Sequence, residues 1–128
     1  MLIDENLPPS LANALNALFA GTHEVIHLRQ RFGPRVKDVE WIPTLSSEGH
    51  WVVISADRRI ARNKAEQQAF RNSRLVGFFL SPALQKAKLT KQMERIMALW
   101  ETIEKQAELI GGGAMFEIPM KSSRLGQL

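Results

Sequence analysis

The 128-residue sequence contains no cysteine. Disulfides, thiolate metal sites and cysteine nucleophiles are therefore excluded, and a reducing cytoplasm is the expected location. Histidine is scarce: His23, His27 and His50 lack the spacing of a zinc site. No uninterrupted apolar run approaches the roughly 18–20 residues that span a membrane, so no membrane partner is expected. Positive charge is missing from residues 1–28, which carry Asp4, Glu5 and Glu24 but no Lys or Arg. The acidic opening Met1-Leu2-Ile3-Asp4-Glu5 does not read as a signal peptide. Gly111-Gly112-Gly113 lacks the Lys-Ser/Thr of a phosphate loop and reads as a flexible connector, so nucleotide binding is not expected.

What is present is ordinary for a globular domain: 45% hydrophobic and 23% charged residues, with a net charge of +4. The length suits one domain, expected over residues 1–120 with a loose tail at 121–128. The charge is uneven. Residues 29–74 carry ten bases against five acids, a local excess compatible with a nucleic-acid partner.

The apolar pattern alternates between strand-like and helix-like segments. Leu2-Ile3, Glu24 to Leu28, Trp51 to Ser55, Leu75 to Leu80 and Met115 to Ile118 read as strands. Helices are expected from Leu11 to Leu18, from Asp38 toward Glu48 with Pro43 as a kink, and from Asp57 to Asn72. Leu89, Met93, Ile96, Trp100, Ile103, Ala107 and Ile110 mark a further helix, packed on the sheet. Arg29 to Lys37 reads as a basic loop turning at Gly33-Pro34. Alternation of this kind predicts an α/β fold with a mainly parallel sheet and helices on both faces. Ligands in such folds bind at the carboxyl ends of the strands.

That edge receives Asp4 after the first strand, Asp38 after the second and Asp57 after the third, with Glu5 and Glu40 nearby. Clustered carboxylates repel unless a cation joins them, and Mg²⁺ or Mn²⁺ suits all-oxygen donors. Such an ion activates water for attack on a phosphodiester. Arg29, Arg31, Arg35, Lys37, Arg58, Arg59 and Arg62 flank the acids and are candidate contacts to RNA phosphates. The simpler alternative makes Asp4 a turn residue and Asp38 and Asp57 helix N-caps. Trp41 stays open between base stacking and core, while Trp51 and His27 read as core residues.

The ordered set Leu2-Ile3-Asp4-Glu5-Asn6-Leu7-Pro8, Gly21-Thr22-His23-Glu24-Val25, Asp38 and Val52-Val53-Ile54-Ser55-Ala56-Asp57 resembles the PIN-like domains of the VapC-type toxin group. The resemblance covers about residues 1–80. It implies a three-layer PIN-like fold and a Mg²⁺- or Mn²⁺-dependent endoribonuclease with a cognate antitoxin, often a homodimer. It assigns the metal to Asp4, Asp38 and Asp57, with Glu5 and Asn6 of the same motif in support; Glu40, two residues after Asp38, is read from its spacing alone as a weak second ligand. The sequence departs from the pattern at Arg59, where many relatives carry another acid. A catalytically silent RNA- or protein-binding module on the same fold is the alternative expectation.

Overall fold

The computed structural model describes residues 1–56, 60 and 63–128. Leu2–Ile3 (β1) runs into Pro9–Leu18 (α1), which Pro9 opens at a position where a missing N–H costs nothing. Ile26–His27 (β2), Leu28–Phe32 (α2) and Asp38–Glu48 (α3) follow. Val52–Ser55 (β3), Lys64–Arg71 (α4) and Val76–Leu80 (β4) come next. Pro82–Gln85 (α5), Leu89–Ala98 (α6), Trp100–Leu109 (α7), Met115–Ile118 (β5) and Gly126–Gln127 (β6) complete the order. The sheet order is β2-β1-β3-β4-β5-β6; every pairing is parallel except β5 with β6. The mainly parallel three-layer α/β architecture expected from the alternation is present.

Successive strand residues face opposite layers, as the period of two demands. Ile3, Ile54, Phe78 and Phe116 pack with Leu11, Leu15, Ile96 and Ile103 from α1, α6 and α7. Their neighbours Leu2, Val53, Phe79 and Met115 pack with Trp41, Leu45 and Phe70 from α3 and α4. β3 and β4 are apolar on both sides because both faces are covered. No helix among the described residues is long and apolar enough to cross a membrane.

Several elements differ from the expectation. The basic loop begins with α2, because His27 caps it: the His27 side chain accepts from Arg29 N, and Gln30 Oε1 accepts from His27 N. Of the helix expected from Asp57 to Asn72, Lys64–Arg71 is helical, with Asn63 capping Ala65 N and Glu66 N, Ile60 is helical as well, and residues 57–59 and 61–62 lie outside the described residues. α3 runs through Pro43. The helix expected over 89–110 bends at Leu99 (φ −98°, ψ 8°), yet backbone bonds from Leu99 N to Arg95 O and from Ile103 N to Leu99 O bridge the bend. The stripe from Met93 to Ile110 therefore packs on the core as expected, while Leu89 is exposed.

The residues beyond Lys121 are not simply loose. Gly126–Gln127 pair with β5, and Leu128 N donates to Met115 O at 3.0 Å. Arg95 is buried and fastens the intervening turn, its guanidinium donating to Pro119 O and Ser122 O. A side chain satisfied by backbone carbonyls leaves no pattern in sequence.

The Gly111-Gly112-Gly113 run is a close contact rather than a flexible connector. A Cβ on Gly113 would collide with the Arg71 carbonyl, and Gly113 has φ +90°. Its N–H donates to Leu75 O at 2.6 Å, leading the chain into β5 beside β4. Gly113→Ala is expected to cost about 1–3 kcal/mol from the positive φ alone. Gly111→Ala, whose Cβ meets nothing within 4 Å, should stay within about 0.5 kcal/mol of the parent. Urea unfolding of the two variants side by side measures both.

Candidate active site

The strand order reverses its direction of growth at β1. The chain steps from β1 to β2 on one side, then returns to β3 on the other. Loops leaving β1 and β3 therefore diverge, and a crevice opens at their carboxyl ends. Asp4 sits at that point. Its backbone N–H continues the ladder by donating to Ile54 O at 2.9 Å. Its side chain is 5% exposed and held from two directions. Oδ1 accepts from Glu5 N at 2.6 Å and Oδ2 accepts from Ser55 Oγ at 2.8 Å. Asn6 Oδ1 accepts from Ala56 N at 3.2 Å, so the ends of β1 and β3 are tied by side chains as well as by the ladder.

His27 secures the same loop from β2. It is fully buried; Nδ1 accepts from Arg29 N at 3.0 Å, which leaves the proton on Nε2 to be donated to Leu7 O at 2.6 Å. The ring is therefore a structural brace, as expected for a core histidine.

Asp38 reaches the crevice from α3. Lys37, not Asp38, is the N-cap, and the Asp38 side chain accepts from Trp41 Nε1 at 2.8 Å. The N-cap reading of Asp38 is corrected accordingly. A carboxylate in the first turn also suits the helix dipole. Trp41 is fully buried, which settles it as core rather than a stacking platform for bases.

Asp4, Glu5, Asn6, Lys37, Asp38 and Glu66 share a cavity of about 420 Å³, floored by Leu28 and walled by Val36 and Val39. Glu66, in the first turn of α4, is the one acid here that the sequence reading missed. Its signal was present as Asn63-x-x-Glu66, the spacing of a helix start with an acid at the third position. Glu40 lies in the first turn of α3 but is exposed and does not line the cavity. Asp57, Arg58, Arg59 and Arg62 lie outside the described residues.

The bases divide. Lys37 lines the cavity. Arg29 Nη2 lies 3.6 Å from Glu5 Oε1, and Arg35 N donates to the same oxygen at 3.3 Å. Arg31 turns away from the other two. Both arms of its guanidinium hold Glu48, with Nη1 to Oε1 at 2.8 Å. Its charge also lies over the rings of Phe32 and Trp51, at 5.4 and 5.6 Å. The hydrogen bond from Arg31 holds the Glu48 carboxyl below its ordinary range. Glu48 and Trp51 line a different hollow, with Met1 and Val52 at the amino ends of the strands. Arg31 is thus removed from the expected phosphate contacts: it fastens α2 to the opposite edge.

The donors at the crevice are oxygens, the kind a hard cation takes, and Mg²⁺ commonly uses one or two carboxylates while keeping several waters. Among the described residues, no three His, Asp or Glu side chains converge closely enough to hold an ion by themselves. Asp4 and Asp38 fit the first requirement in kind.

With this geometry, comparison with known proteins is specific on one point. The chain belongs to the family described as PIN like domain, whose model matches residues 1–82. That span contains β1 through β4 and all the cavity residues. No curated protein and no solved structure gives a significant match.

His27→Phe strands the Leu7 carbonyl and the Arg29 amide in the interior. It is expected to cost about 1–3 kcal/mol per orphaned group, read as a lower urea midpoint at pH 7.

Proposed function

We propose that the chain is a Mg²⁺- or Mn²⁺-dependent endoribonuclease, the VapC-type toxin of a toxin–antitoxin pair acting in the cytoplasm. A cognate antitoxin protein and a homodimer belong to this reading. The observation that carries it is the buried, doubly oriented Asp4 carboxylate at the strand-order reversal, opening on one cavity with Asp38. The family match supports a nuclease-type protein.

In this reading Asp4 and Asp38 hold the metal, joined by Asp57, with Glu66 and Glu5 as neighbouring carboxylates. The ion, when bound, supplies Lewis acidity at a phosphoryl oxygen and a nucleophile at neutral pH. The chain's own residues do the positioning. Ser55 Oγ and Glu5 N–H fix the Asp4 carboxylate, so it does not rotate as substrate arrives. The Asp38 carboxylate is held by Trp41 Nε1, and the Trp41 ring is locked in the core. Lys37 and Arg29 offer cationic contacts to the RNA backbone on either side, with Arg58, Arg59 and Arg62 in the same role. Glu40 is an outer acid at most, since it does not line the cavity.

A second reading, a catalytically silent RNA- or protein-binding module, is favoured by one observation: Arg59 stands where many relatives carry a further acid.

Asp4→Asn is expected to abolish metal-dependent cleavage of a mixed RNA pool while the circular dichroism spectrum stays unchanged. Undiminished cleavage by that variant contradicts the assignment. Glu66→Gln is expected to slow cleavage by about 10–100-fold, the range for a supporting group beside a metal site. Single-turnover rates with Mn²⁺ measure it.

A further inference from the structure

Glu5 Oε1 is the focus of two donors from separate parts of the chain. The Arg35 backbone N–H reaches it at 3.3 Å and the Arg29 guanidinium lies at 3.6 Å. Arg35 has φ +65°, the only non-glycine residue with positive φ among those described. That conformation is uncommon for a residue with a Cβ, and it occurs at the residue whose amide meets the carboxylate. A guanidinium and a backbone N–H converging on one anionic oxygen are the donors that recognise phosphate.

The setting makes the arrangement more than a surface ion pair. Among the described residues, four carboxylates line the cavity, Asp4, Glu5, Asp38 and Glu66, against one cation, Lys37. An RNA backbone approaching that edge meets repulsion unless positive charge is released toward it. Among the described residues, the Arg29 side chain is held by one half-exposed contact, which solvent screens and a stronger anion displaces.

We propose that the Arg29 guanidinium and the Arg35 N–H form a subsite for an RNA backbone phosphate, which Glu5 occupies as a displaceable latch in the substrate-free chain. The latch rests on the RNA reading above, but not on catalysis. Substrate phosphate takes the place of the Glu5 carboxylate, and Arg29 changes partner. No bond is made or broken.

The test is binding of a fluorescein-labelled single-stranded RNA of mixed sequence in EDTA, followed by anisotropy over a salt series. Glu5→Gln keeps an oxygen to accept from Arg35 N–H and removes the charge that holds Arg29. It is expected to bind about 5-fold tighter at low salt, with the log K against log salt plot steeper by about 0.7, the increment for one more phosphate on a single strand. Glu40→Gln removes the same charge from the exposed first turn of α3 and should give a smaller gain with an unchanged slope. In an Arg29→Ala background, Glu5→Gln should give no more than the small Glu40→Gln gain and no change in slope. Equal gains from the two glutamine variants in the parent background, or a full gain with the steeper slope that survives Arg29→Ala, overturn the latch in favour of diffuse charge. Failure of every protein to bind RNA overturns the latch and the RNA reading together. The expected binding pattern without cleavage under any metal supports the latch and contradicts the nuclease reading alone.

Discussion

The structure depends on the junction where β1 leaves the sheet beside β3. β1 is two residues long, yet it lies between β2 and β3 with both of its side chains fully buried. So short a strand offers few ladder bonds, and its exit would fray without further fastening. The sequence Asp4-Glu5-Asn6 supplies that fastening in side-chain form: Asp4 to Ser55, Asn6 to Ala56, and the Asp4 backbone to Ile54. His27 reaches across from β2 to hold Leu7 O. The carboxylate that closes the sheet is thus the carboxylate presented at its ligand-binding edge. Fastening and the proposed function fall on one residue, which is why Asp4→Asn, close to isosteric, separates them better than a truncation would.

The same edge carries an electrostatic tension. Burial and clustering raise the cost of keeping several carboxylates ionised, and each observed contact offsets part of it. Asp4 is met by a hydroxyl and an amide, Asp38 by an indole N–H, and Glu5 by Arg29 and Arg35. These neutral and cationic partners orient the acids while leaving the crevice open. A divalent cation would relieve the remainder, and a polyanionic substrate would follow the cation. The hold on Arg29 is loose and the hold on Asp4 is rigid, and the proposed latch and metal site use that difference.

Much of this was legible in sequence because it rests on periodicity and strand ends. Every strand but β6 was located by its apolar run, and the parallel order followed from alternation with helices. Asp4 and Asp38 were identified because they follow strands, and the structure brings both to one cavity. What was not legible has a common cause: it depends on partners far apart in sequence. Arg31 looked like its neighbours until Glu48, seventeen residues on, claimed it. Trp41 was ambiguous because its indole bond to Asp38 is visible only once α3 is placed. β6 is held by backbone bonds and the turn before it by Arg95, and neither leaves an apolar signature. Glu66 lies inside the helix expected from Asp57 to Asn72, and only the cap at Asn63 marks it as a first-turn acid.

The claim at the centre of this account is that the acids at the strand-order reversal act together on one divalent cation. The most direct measurement is Mn²⁺ binding to the purified chain by electron paramagnetic resonance, with Asp4→Asn and Asp38→Asn prepared identically. The account predicts saturable Mn²⁺ uptake by the parent chain, lost in either variant. Uptake that is absent from the parent, or indifferent to both substitutions, would contradict it and leave a PIN-like domain whose acids serve the fold alone.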